Sequence, residues 1–291
     1  MALLLIDTYS LFFRSFYGLP PMTTQRGQPT GALYGFSALL LKLLREQEPA
    51  GCALALDLPT PTFRQALAPS YKAGRPSTPS PLRAQLEVLP ELLEAFGFPC
   101  FEAPGFEADD VLASLAHELA QAGEQCLVAS GDRDLLQLVT AQVHVLFLGA
   151  RGKPAQRYEP GQIVTRFGIP AGTLPSYVAL LGDSSDNLPK VPGIGEVTAQ
   201  RLLAKYGDVH TLLQHVHEIA EPRVRQTLTE HEAQIRSTEQ LARLRRDVPL
   251  APGPRTQPFT HAAVERTQVL FERLEFKSLI ARLGPWRKPG A

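Results

Sequence analysis

Short apolar runs that end in acids constrain this chain more than any other feature. Residues 3–6 lead into Asp7 and residues 53–56 into Asp57, while residues 126–129 pass through Ser130 and Gly131 into Asp132 and Asp134. A fourth run, 101–103, is followed after a short loop by Glu107, Asp109 and Asp110, and a fifth run, 143–148, comes soon after. Between them, segments 32–46, 82–96 and 109–121 carry apolar residues at three- and four-residue spacing, the pattern of helices with one buried face. Strand-length and helix-length segments therefore alternate, which favours a parallel sheet covered by helices. In such a sheet the carboxyl ends of the strands share one edge, where ligands bind.

From about residue 160 the pattern turns to helices alone, with candidates near 161–167, 174–181 and 197–206. The expected organisation is an α/β core over 1–160 and a helical part over 161–291, a size that suits one large domain with a helical appendix. Segment 58–82 has prolines at 59, 61, 69, 76, 79 and 81 and carries Phe63, Arg64, Tyr71, Lys72 and Arg75. It is too long for an ordinary connection, so it is either disordered or functional. Apolar residues at 44% and charged residues at 20% exclude a disordered or fibrous chain. No run is long enough to cross a bilayer, and no basic lead precedes Leu3, so a cytoplasmic protein is expected. The three scattered cysteines read as buried free thiols rather than a disulfide framework or zinc site. The 29 basic and 29 acidic residues cancel, which argues against indiscriminate polyanion binding.

Adding Asp183 and Asp186, in Gly182-Asp-Ser-Ser-Asp-Asn187, brings the acids that could converge to nine. Any one of them could be a helix cap or part of a turn. As a set they would repel one another unless cations neutralised them. Oxygen donors without His or Cys suit Mg²⁺ or Mn²⁺. Two such ions can hold a phosphate, activate water and stabilise a leaving oxygen, as phosphodiester hydrolysis requires. The chain has neither a Gly-Lys-Ser/Thr phosphate loop nor an aspartate two residues after Asp7, which weakens the phosphotransferase and phosphatase alternatives.

The stretch Leu188-Pro-Lys-Val-Pro-Gly-Ile-Gly195 before an expected helix reads as a helix-hairpin-helix over about 183–207. Backbone amides at Gly193 and Gly195, with Lys190, Arg201 and Lys205, would contact phosphates without reading bases. In the proline-rich segment, Lys72 and Arg75 could pair with phosphates while Tyr71 or Phe63 stacks on a base.

These residues resemble the 5′ nuclease domain at the amino terminus of bacterial DNA polymerase I, related to phage and flap endonucleases. The resemblance runs nearly end to end. It rests on Leu5-Ile-Asp7, Gly31-Ala-Leu-Tyr-Gly-Phe36, Phe63-Arg64, Tyr71-Lys-Ala-Gly-Arg75, Gly105-Phe-Glu-Ala-Asp-Asp-Val-Leu-Ala113, Gly131-Asp-Arg-Asp-Leu135, Gly182-Asp-Ser-Ser-Asp-Asn187 and Pro192-Gly-Ile-Gly195. It implies a PIN-like fold with a mainly parallel sheet and a helical, DNA-binding end. Asp7, Asp57, Glu107 and Asp109 would hold one metal with Asp110 close by, and Asp132, Asp134, Asp183 and Asp186 would serve a second. Tyr71, Lys72 and Arg75 would be arch residues that steer the 5′ strand and the scissile phosphate in catalysis, with Arg64 binding DNA at the arch base. A K⁺ ion at backbone carbonyls near Val191 and Ile194 is a further implication. Thr8, Arg133 and Ser184 depart from the usual Gly, Lys and Glu, and none of these removes a matched acid.

The expected activity is Mg²⁺-dependent removal of flaps and 5′-terminal nucleotides from branched or nicked DNA, and of RNA primers, by a monomer without membrane contact. A catalytically silent branched-DNA module and an RNA-directed nuclease are the alternatives. Family members commonly continue into proofreading and polymerase domains, so the chain is either a stand-alone nuclease or one domain of a longer protein.

Overall fold

The computed structural model describes residues 2–74, 76–149, 154–251 and 255–286. Its centre is one sheet of six strands in the order β3-β2-β1-β4-β5-β6: β1 Leu3–Asp7, β2 Gly51–Ala55, β3 Cys100–Phe101, β4 Cys126–Ser130, β5 Val143–Phe147 and β6 Gln156–Tyr158. Strands β1 to β5 run parallel, and β6 pairs antiparallel with β5. Leu5 aligns with Ala53 on one side and Val128 on the other, so Asp7 and the residues after β2 and β4 leave the sheet at one edge. Expected strand 101–103 is shorter than read, because the chain turns away through Pro104-Gly105 toward the acids.

Side chains alternate across a strand, and here each face has its own core. Leu5, Ala53, Ala55 and Val128 face one cluster, whereas Leu4, Ile6, Leu54 and Ala129 face the other. The second face is covered by α1 Thr8–Gly18, α2 Gly31–Gln47, α4 Ser80–Leu86 and α5 Leu89–Phe96, α3 Phe63–Leu67 being a single turn outside it. Expected helix 82–96 is two helices, because Pro90 in the first turn of α5 lacks the N–H that would continue the α4 ladder. The first face is covered by α6 Ala108–Gln121 and by the helical part: α7 Pro160–Phe167, α8 Leu174–Leu181, α9 Glu196–Tyr206, α10 Val209–Gln214, α11 Pro222–Glu230 and α12 Glu232–Ala242.

The last helices, α13 His261–Arg273 and α14 Lys277–Arg282, return to the other face of the sheet. There Phe271 meets Phe96 edge-on at 6.2 Å, so the end of the chain is part of the α/β core. Cys52 and Cys126 are buried free thiols as expected, but Cys100 is exposed, because β3 is the short edge strand. No helix among the described residues is long and apolar enough to cross a membrane.

Candidate active site

Helix α1 begins directly at the end of β1, so Asp7 is at once the last strand residue and the helix cap. Its carboxylate accepts from Ser10 N at 3.2 Å and from the Ser130 hydroxyl, and it is only 4% exposed. Ser130 closes β4 and also accepts from Asp132 N at 2.9 Å, while the Ser10 hydroxyl accepts from Gly131 N at 3.0 Å. Two serines, Ser130 and Ser10, thus pin the ends of β1 and β4 together. Thr8, at the family's glycine position, is fully buried, and its hydroxyl finds no partner among the described residues.

Glu107 caps α6, and Asp57, just beyond β2, accepts from Ala108 N at 2.8 Å. The first turn of α6 is thereby held against the sheet edge. Asp132 accepts from Asp134 N at 2.9 Å, which winds the short 3₁₀ turn Asp134–Leu138. On the helical side, Gly182 has φ +73 and packs so closely on Leu188 and Lys190 that a Cβ would lie 2.7 Å from their backbones. Only glycine allows the loop to fold back and present Asp183 and Asp186.

The acids share one electrostatic field. Burial pushes Asp7 up to about 7, and the charges of Asp57 and Asp132 add to the rise while the Ser130 and Ser10 hydrogen bonds oppose it. Burial also raises Asp109 well above the usual carboxylate range, reinforced by Asp132, Asp7 and Asp57. Asp134 rises to about 8, again through burial first and then through Asp132, Asp186 and Asp183. Lys72 counteracts the rise at both Asp109 and Asp134.

The proline-rich segment is ordered through its base and closes on this field. Tyr71 donates to Asp186 at 2.9 Å and to Glu107 at 3.2 Å. Lys72 Nζ reaches Glu107 at 3.1 Å and Asp186 at 3.6 Å, and its backbone N–H donates to the Asp186 carbonyl. Lys72 and Asn187 both adopt the left-handed region, at φ 57 and 58, so the two chains meet in locally strained backbone. Arg75 lies outside the described residues.

The structure corrects three expectations. Asp110 does not face the field: it is fully buried and accepts from Arg64 at 2.6 and 2.8 Å, from Glu107 N and from Arg245 N. Arg64, expected to meet DNA at the arch base, is 1% exposed, because Asp110 outweighs the desolvation that would otherwise lower its pKa. Tyr71, expected to stack on a base, is 4% exposed with its hydroxyl spent on the acids. Phe63 packs on Phe106 at 5.9 Å and under the Arg64 guanidinium.

In the hairpin, Gly193 takes φ +72 and Gly195 caps α9, and both are exposed, as are Lys190, Arg201 and Lys205. Arg201 pairs with Glu221 at 2.6 Å and Lys205 with the Tyr206 hydroxyl at 2.9 Å. Val191 and Ile194 bury their side chains in the core. Among the described residues, no three His, Cys, Asp or Glu side chains stand as a ready-made ligand set. Several acid oxygens are instead turned to Lys72, Tyr71 and backbone amides.

Residues 2–168 match the family model "5′-3′ exonuclease, N-terminal resolvase-like domain", and residues 169–264 match "5′-3′ exonuclease, C-terminal SAM fold". The chain belongs to the 5′-3′ exonuclease family. It is 41% identical over 286 residues to DNA polymerase I of Mycobacterium bovis, covering 97% of this chain and 31% of that protein. It is 37% identical over 290 residues to the thermostable DNA polymerase I of Thermus aquaticus, covering 99% and 34%. The chain thus spans about a third of the length of these relatives. Its fold is that of T5 5′-exonuclease solved with zinc ions (TM-score 0.67, 18% identity, 99% and 100% coverage). It is also that of the catalytic core of Rad2 in complex with DNA substrate (TM-score 0.62, 16% identity, 97% and 92% coverage).

Proposed function

We propose that this member of the family is a divalent-metal-dependent, structure-specific 5′ nuclease that hydrolyses phosphodiesters at 5′ flaps and 5′ ends of branched or nicked DNA, including RNA primer strands. The carrying observation is the shared field at the sheet edge, where Asp7, Asp109 and Asp134 are all driven up by burial first and then by neighbouring carboxylates, Asp132 being common to all three. The donors fit a hard divalent ion, because they are all carboxylate oxygens and their raised pKa values reflect burial together with negative charge the protein alone leaves unbalanced. Asp7, Asp57, Glu107 and Asp109 would hold one Mg²⁺ or Mn²⁺, and Asp132, Asp134, Asp183 and Asp186 would serve a second. Bound there, the ions would supply an activated water and charge stabilisation at the phosphate.

Lys72 reaches the acids from the arch base, so it can meet the phosphate that enters between arch and sheet and fix its position. Arg75 would assist from the same segment. Ser130 and Ser10 keep Asp7 and the Asp132 turn in register during that encounter. The exposed amides of Gly193 and Gly195, with Lys190, Arg201 and Lys205, would anchor the duplex by its backbone, and the hairpin carbonyls near Val191 and Ile194 would take K⁺. That the Rad2 core was solved with DNA substrate and T5 5′-exonuclease with divalent ions supports the reading.

A labelled 5′-flap substrate incubated with and without Mg²⁺ tests it. Cleavage is expected only with the metal and at the junction; binding without cleavage under both conditions would establish a silent binding module instead.

A further inference from the structure

The stretch 241–248 begins with the last two residues of α12 and from Arg243 runs on without regular structure past the elements that carry the acids. Backbone of this kind must find partners for its polar groups elsewhere. Buried side chains supply them. Arg64 Nε donates to the Leu241 carbonyl at 2.7 Å, and Arg64 Nη2 donates to the Arg243 carbonyl at 3.1 Å. Gln137 donates to the Ala242 carbonyl at 3.0 Å and accepts from Leu244 N at 3.0 Å. Asp110 accepts from Arg245 N at 2.9 Å, and Ser114 accepts from Val248 N at 3.1 Å.

Each of these side chains belongs to the acids' own supports. Arg64 Nη1 also donates to Glu107 Oε2 at 3.2 Å. Gln137 follows Asp134 by three residues in the 3₁₀ turn Asp134–Leu138, where positions three apart lie one above the other. Asp110 and Ser114 lie on the helix that Glu107 caps. An arginine with Nε and both terminal nitrogens bonded inside the protein, at 1% exposure, has no face left for a phosphate. A glutamine bonded at both ends to neighbouring strap residues fixes the rotation of its turn, and with it the direction in which Asp134 leaves that turn.

We infer that Arg64 and Gln137 are positioning residues: through strap 241–248 they hold Glu107 and Asp134 in the arrangement the metal ions need, and Arg64 is not a DNA contact. This rests on the metal reading of the acids proposed above. It assigns a role to a buried arginine and a buried glutamine that the hydrolytic scheme otherwise leaves unused.

The test is Mn²⁺ titration by calorimetry on the full chain without DNA, for the wild type, Arg64→Lys and Gln137→Met, alongside flap-DNA binding in EDTA. Groups that orient metal ligands are worth about 10- to 100-fold in metal affinity, so both variants are expected to bind Mn²⁺ more weakly by about that factor. DNA affinity in EDTA is expected to be unchanged, and the Leu244 amide of Gln137→Met is expected to exchange faster. Folded variants, checked by circular dichroism, that bind Mn²⁺ like the wild type would overturn the inference. So would an Arg64→Lys protein that loses DNA affinity in EDTA. If Arg64→Lys does not fold, Gln137→Met decides by the same titration. A wild type that takes up no Mn²⁺ would overturn the metal reading itself and the inference with it; wild-type uptake with unaltered variants would overturn the inference alone.

Discussion

Asp109 and Asp110 are adjacent in the first turn of α6, yet they belong to two regions with opposite electrostatics. Asp109 faces the sheet edge among Asp7, Asp57 and Asp132, with Lys72 as its opposing cation. Asp110 turns into the protein, where Arg64 takes both of its oxygens and the strap completes the set. Buried charge is tolerable when it is paired and hydrogen-bonded, and costly when it is not. The paired region is therefore structure, and the other, where the acids outnumber their cation Lys72, is the one that the proposed metal ions would neutralise.

The largest effect should come from the acid-rich side. Asp134→Asn is expected to lower 5′-flap cleavage by at least about a hundredfold to a thousandfold, with flap binding in EDTA retained; a gel assay of both quantities separates chemistry from binding. The paired side should show in stability. Asp110→Ala leaves Arg64 buried without its partner and is expected to cost about 3–5 kcal/mol in urea unfolding. Asp109→Asn should act in the opposite direction, stabilising the metal-free protein at neutral pH, because it removes a charge the field disfavours. Equal losses from both variants would erase the contrast.

Smaller still is the effect of pH on the metal-free protein. The folded pKa values of Asp7, about 7, and Asp134, about 8, lie above the ordinary value of 3.8. The folded state therefore binds protons that the unfolded chain has already released, and stability is lost as pH rises from about 4 through 8. Thermal melts in EDTA should fall across that window, and Mg²⁺ should restore them at the upper end. At the hairpin, Lys190→Ala and Arg201→Ala should weaken duplex binding only modestly. Each should lower the slope of log affinity against log salt by about one unit, read from titrations at several salt concentrations.

Much of this contrast was legible in the sequence, and the missing part has a physical cause. The acids after β1, β2 and β4 could be placed at one edge because a parallel strand direction follows from alternation with helices. Apart from the family resemblance, nothing local separates Asp109 from Asp110, because the partner that distinguishes them, Arg64, lies 46 residues away and the strap lies farther still. Ser130 and Ser10 carry no signal of their pinning role in the sequence, because a hydroxyl gives no periodic pattern. Helix α1 escaped notice because it starts without any turn between it and β1. The apolar neighbours of Cys100 favour burial, but its strand is the sheet's edge. The return of α13 and α14 to the first half has no local signature at all, since it is decided by which apolar face remains uncovered.

The most direct measurement is Mg²⁺ binding by calorimetry at pH 7 in two buffers of different ionisation enthalpy. If the acids at the sheet edge are held protonated by burial and by neighbouring carboxylates, metal uptake must expel those protons, and the apparent heats should differ between the buffers in proportion to their number. Metal uptake with identical heats in the two buffers would contradict the shared field, and no uptake would contradict the site.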